Sequence, residues 1–332
     1  MKNDYRNTNI NSIFVLGTEP FAGLWLGNTD RGGFNHQQRW RLHDGKICWE
    51  PLGPANTQYW EQRIHMLVEE TTERRQQAAF LRLSKTSQTR ATWSLPALAA
   101  CPKRDETCEH CYAQQGWYRV DLPRQVDRVL RLEYLQGLIR KNSLSTWVQW
   151  MANTLNALPP DEPFPAALGH FHGFNSETKI PYFRWHDSGD LFNKEYARAV
   201  FQVCEMTPRV AHWLPTRMAG LVQSLVQKGV TIPLNLSVQV SVHRGGMLEA
   251  VQVHSVRDVL QAQPSARIGL SYFVNGTTNR KADLQLVEGH FGKGAVVCPA
   301  ITATNPKERV CNGCRRRWAS TFESPVIFPK IK

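Results

Sequence analysis

Residues 233–243 read PLNLSVQVSVH, and their reading decides the fold. Leu234, Leu236, Val238, Val240 and Val242 fall on one face. Asn235, Ser237, Gln239, Ser241 and His243 fall on the other, with the period of two that belongs to a β-strand. The stretches around it alternate in type. IPYFRWHD (180–187) is strand-like, NKEYARAVFQVCEM (193–206) helical, RVAHWLP (209–215) strand-like and MAGLVQSLVQKG (218–229) helical. SVRDVLQAQ (255–263) follows as a short helix, then ARIGLSYFV (266–274) and GAVVCPA (294–300) as strands. Strands alternating with helices of this length imply βαβ units and a parallel sheet. Parallel strands are normally apolar on both faces, so a polar face has to be accommodated. The expected fold is therefore α/β, a partial or open (β/α) barrel with helices over the apolar face and a ligand-filled lumen on the other. An antiparallel strand with one side in solvent is the alternative. Arg184 and His186 share one face of 180–187 and are expected to point into the same lumen.

The chain has 332 residues, enough for one large α/β domain with extensions. Residues 1–90 are expected to form an irregular N-terminal extension with an amphipathic helix at about 59–83, where Trp60, Ile64, Leu67 and Val68 are suitably spaced. Residues 91–290 form the expected (β/α) core. Within it ATWSLPAL (91–98) reads as a short strand and RQVDRVLRLEYLQGLIR (124–140) as a helix, and ALPPDEPFP (157–165) as a connection. Residues 291–332 are a basic, cysteine-containing segment packed on that core. They hold eight Lys and Arg against two Glu, including Arg315, Arg316 and Arg317, within a chain of formal net charge +12. Such clustering makes nucleic acid a possible partner. No signal peptide or membrane-length apolar run is seen, so the expected location is cytoplasmic, with no membrane partner.

Six of the eight cysteines fall into two groups, Cys101, Cys108, Cys111 and Cys298, Cys311, Cys314. Each opens with Cys-Pro and closes with C-x2-C. In a reducing compartment such thiols are more often metal ligands or catalysts than disulfides. Three thiolates on one loop suit a 4Fe-4S cluster that keeps one iron for another ligand. Zinc stapling the domain, with Cys108, Cys111, Cys311 and Cys314 around one tetrahedral site, is the alternative. Cys48 and Cys204 stand alone and are expected in the core.

The runs SLPALAACPKRDETCEHCYA, RWHDSGDLFNKEY, TPRVAHWLPTR and VVCPA with a distal CNGC resemble the "gene 88 protein" family of phages and mobile elements, over about residues 90–320. The C-x6-C-x2-C-Y-A element is also similar to phage-related proteins regarded as relatives of radical S-adenosylmethionine (radical SAM) enzymes. This second resemblance implies a cluster on Cys101, Cys108 and Cys111 whose free iron binds SAM. It further implies that Ser188, Gly189 and Asp190 contact the SAM amino group, as a Gly-Gly-Glu element does in those enzymes. The usual triad there has three and two intervening residues, with an aromatic just before the last cysteine. Here the spacing is six and two, with His110 in that place.

On this basis Arg184, His186 and Asp187 are the expected catalytic residues, and Ser188, Gly189, Asp190, Asn235, Ser237 and Gln239 the expected cofactor-binding ones. Cys298, Cys311 and Cys314 would hold a second iron-sulfur or zinc centre, with His290 as a candidate fourth ligand. The substrate is an unknown small molecule or macromolecule. Bland roles compete: Asp190 or Asn193 would serve equally as a helix cap, a His-Asp pair at a strand end as a structural one, and Trp117, Trp185 and Trp213 as core. No Walker loop, G-x-S-x-G elbow or H-E-x-x-H occurs, which argues against NTPase and common hydrolase chemistry. The other class left open is a zinc-stabilised nucleic-acid-binding or host-interaction protein of a phage or plasmid.

Overall fold

A computed structural model describes residues 38–43, 46–51, 83, 84, 86, 89, 91–97, 99–102, 113, 122–163, 174, 177–243, 248–275, 285, 296–298 and 325–330. The expected helix at about 59–83 lies outside them. The chain divides into two compact units, one of Met1–Arg82 with Ser94–Gly137 and the other of Leu83–Trp93 with Leu138–Lys332.

The first unit contains an antiparallel hairpin of β1 (Gln38–His43) and β2 (Lys46–Pro51). It also contains most of helix α1 (Leu122–Arg140), whose buried Arg131 donates to the carbonyl of Ser94 at 3.2 Å.

The second unit holds the sheet. Its strands are β3 (Ala91–Trp93), β6 (Tyr182–Trp185), β7 (Ala211–Thr216), β8 (Leu236–His243), β9 (Arg267–Asn275), β10 (Val296–Val297) and β11 (Val326–Lys330). A two-stranded antiparallel pair, β4 (Glu162–Pro163) and β5 (Lys179–Ile180), precedes β6. The sheet order is β10-β11-β9-β8-β7-β6-β3, and every pairing is parallel. From β3 to β9 the strands follow chain order without reversal. Right-handed crossovers then place the helices of this unit that connect these strands on one face, with no topological switch point between β3 and β9.

Those helices are α2 (Leu144–Asn156), α3 (Lys194–Met206), α4 (Ala219–Val226) and α5 (Glu249–Ala262), each packing on the next. Asn193 caps α3, its side chain accepting from Tyr196 N at 2.8 Å. The sequence pattern passed over α2, although Trp147, Val148, Met151, Ala152 and Leu155 are its buried residues, at the 1-3-4 spacing of an amphipathic helix. α5 is longer than expected, beginning at Glu249, because EAVQVH extends the same pattern toward the N-terminus.

The helix-facing side of the sheet is the apolar one. Trp147 of α2 lies 6.2 Å from the Trp185 ring and 5.5 Å from that of Tyr196 on α3. His212 stacks on Trp185 and meets the Thr207 hydroxyl at 2.8 Å. Burial without a charged partner holds its pKa down at about 3, so it is a neutral core residue. Cys204 is buried among these groups, as expected of it, and burial pushes its thiol well above the usual range.

Candidate functional site

The other face is polar and also buried. Register places Thr92, Arg184, Trp213, Ser237 and Arg267 in one row across β3, β6, β7, β8 and β9, and Pro215, Gln239 and Gly269 in the next. Ser237 and Gln239 are 0% and 1% exposed, so their face is not in bulk solvent. Below the Arg184 row Phe174, Ile180, Tyr182, Ala211 and Trp213 make an apolar floor.

A continuous network crosses this face. Arg184 Nη1 pairs with Asp187 Oδ1 at 3.0 Å, and the guanidinium lies 4.8 Å over the Trp213 ring. Trp213 Nε1 donates to Gln239 Oε1 at 3.0 Å, while Gln239 Nε2 is buried with no partner. Trp213 is the joint of the network, and its role was missed because its neighbours Ala211 and Pro215 give β7 no polar stripe.

Alternation fails where it is carried past the strand ends. His186 follows the last residue of β6, and its φ of +50° turns the chain. Instead of sharing an open lumen with Arg184, its ring is held by Tyr196 of α3, Nε2 to hydroxyl at 2.9 Å, with Nδ1 buried and unpartnered. Burial first and the Arg184 cation second lower its pKa to about 3, so the imidazole is neutral.

Asn235 precedes β8 and sits in a turn. Its amide donates to the carbonyls of Cys204, Thr207 and Val210 at 2.9, 2.9 and 3.1 Å. This residue staples the α3–β7 turn, and its donor is not available to a cofactor. Asn235→Ala is expected to destabilise the protein by about 1–3 kcal/mol, the cost of leaving buried carbonyls unsatisfied. Chemical denaturation at neutral pH measures this; an unchanged midpoint would show that water replaces the amide.

The loop after β6 carries Ser188, whose hydroxyl is buried without a partner, and Gly189, whose φ of +79° suits glycine. Asp190 does not cap α3. Its Oδ1 accepts from Leu191 N at 2.7 Å and from the Thr216 hydroxyl, and Oδ2 from Arg217 N at 2.8 Å. The carboxylate thus clamps the loop after β6 to the loop after β7. Burial pushes its pKa up to about 6, against the pull of Thr216, Arg217 and Leu191. With three donors already on it, Asp190 is poorly placed to receive a ligand amine as the Gly-Gly-Glu likeness implied.

Of the six clustered cysteines, Cys101 and Cys298 are described, and neither is in a disulfide. Cys298 directly follows β10 and packs with Val326 and Phe328. Cys108, Cys111, Cys311, Cys314, Cys48's side chain, His290, Trp117 and Arg315 to Arg317 lie outside the described residues. Among the described residues no three His, Cys, Asp or Glu side chains gather as a metal site. None of the described helices is long and apolar enough to cross a membrane.

The fold and site define an α/β protein with a parallel sheet, wound in chain order through β9, whose second face is a buried polar surface. The chain belongs to the Gene product 88 family, whose family model matches residues 66–320. No curated protein and no solved structure matches it.

Proposed function

We propose that this is an iron-sulfur protein of the radical SAM type, built on a partial (β/α) barrel. The observation that supports the reading most is a buried polar face on an all-parallel sheet, which such a barrel would enclose as its lumen. Cys101, Cys108 and Cys111 supply three soft thiolates suited to a 4Fe-4S cluster with one open iron. Cys298, Cys311 and Cys314 would hold a second iron-sulfur or zinc centre. When bound, the first cluster would supply one-electron reduction of SAM, with the electron drawn from an external reductant and a sulfonium C–S bond broken to leave methionine.

The chain's own residues position and enclose. Asp187 pairs with Arg184, whose guanidinium lies over Trp213 at the lumen wall, and Gln239 presents a fixed amide there. Asp190 acts through the loop, holding Ser188 and Gly189 in place, while the neutral His186 closes the top beside Tyr196. The unknown substrate would lie against this face.

The test is anaerobic purification with iron, sulfide and zinc quantified per chain. About four irons and four sulfides for the first triad are expected, falling by at least half in Cys101→Ser. Stoichiometric zinc without iron would replace this reading with the zinc-stabilised, nucleic-acid-binding one that the basic C-terminal residues favour. Absence of any metal would remove both.

A further inference from the structure

Gly269 lies in the interior of β9, paired with β8, and its φ is outside the left-handed region. Backbone conformation therefore does not demand glycine. A glycine inside a strand then marks a place where a side chain would obstruct something approaching the backbone. Register defines its surroundings on the polar face. Gln239 stands opposite on β8, flanked by Ser237 and Ser241, while Arg267 and Ser271 lie two residues to either side on β9. All of these carry hydrogen-bond donors. The seven strands of the sheet carry Arg184, His212, His243, Arg267 and Lys330 and no Asp or Glu.

Gln239 is an independent pointer to a ligand. Its Oε1 is fixed by the Trp213 indole on β7, and Gly269 of β9 is its register partner along the other edge of β8. That donor is buried and has no acceptor. Buried polar groups are rarely left so, and the missing acceptor is what a bound ligand would bring.

We propose that the polar face at Gly269 is an oxyanion seat, in which the carboxylate or phosphate of a small ligand accepts from Gln239 Nε2 beside the Arg267 cation and Ser271. This rests on the polar face being the ligand-holding one; it requires no metal.

The full chain is titrated with inorganic phosphate and, separately, with acetate, against chloride at matched ionic strength. The Trp213 indole N–H is followed by NMR and assigned through Trp213→Phe. A saturable shift with phosphate or acetate and none with chloride is expected, and the anion that saturates at lower concentration names the source. Gly269→Ala is expected to melt at or above the wild-type temperature, since alanine loses less chain entropy, yet to bind at least tenfold more weakly. Gln239→Leu should weaken binding about tenfold or more. The seat is overturned by no saturable shift in the wild type, or by unchanged binding in both variants. It is equally overturned by unfolding of Gly269→Ala, which would mean that the protein's own atoms pack against Gly269. Iron is measured on the same preparations: anion binding without iron leaves the seat and removes the cluster, and full iron without anion binding does the reverse.

Discussion

Asp187→Ala is expected to destabilise the protein by about 3–5 kcal/mol, because it leaves the Arg184 guanidinium buried without its counter-charge. Both partners are 8% exposed at the side chain, so water offers little screening, and the pair is 3.0 Å apart. Replacing both is a different experiment. Arg184→Met with Asp187→Leu removes both desolvation costs and keeps apolar volume over Trp213. It should recover most of the loss, since buried pairs exchanged for packed apolar groups are often neutral or stabilising. Urea denaturation of the two variants measures this. If the double variant is as unstable as Asp187→Ala, the pair is not the cause, and the stabilising element is the contact of Arg184 with Trp213. A protein that tolerates Asp187→Ala within about 0.5 kcal/mol would show that another group neutralises Arg184.

The pair also shows what the sequence could and could not disclose. Inside β8 the alternation was reliable. Ser237 and Gln239 do lie on one buried face with Arg184, and the strand–helix alternation from residue 180 onward predicted the parallel α/β sheet. The errors fall at element ends. A period of two carried beyond Leu236 and Trp185 puts Asn235 and His186 in the lumen, but there the chain has already turned. No local pattern announces that Asn235 will meet three carbonyls of a turn some 25 to 31 residues earlier. The Asp190 clamp is hidden for the same reason: Thr216 and Arg217 are brought to it only when β7 pairs with β6. The S-G-D motif was visible, but its partners were a consequence of the sheet. By contrast, α2 is legible in the sequence, its buried face having the ordinary helical spacing.

Asp190→Ala is expected to cost about 3–5 kcal/mol, since it orphans the amides of Leu191 and Arg217 and the Thr216 hydroxyl together. Helix capping plays no part, because Asn193 caps α3. The pH dependence separates this clamp from a generic buried contact. In the folded protein the Asp190 pKa is raised from 3.8 to about 6, burial outweighing the three hydrogen bonds. The folded state then holds its proton more tightly than the unfolded chain. The Asp190 contribution is fully present below about 3.8 and is lost as pH rises through about 6, a change on the order of 3 kcal/mol. Asp190→Asn cannot titrate, so wild-type stability measured relative to this variant should fall between pH 4 and pH 7, mostly before about 6.5. Denaturation curves at half-unit intervals test the sign. Parallel curves would mean that Asp190 does not change its proton affinity on folding. A wild-type advantage that grows with pH would mean that the three donors prevail over burial, making Asp190 a fixed anion at the end of β6.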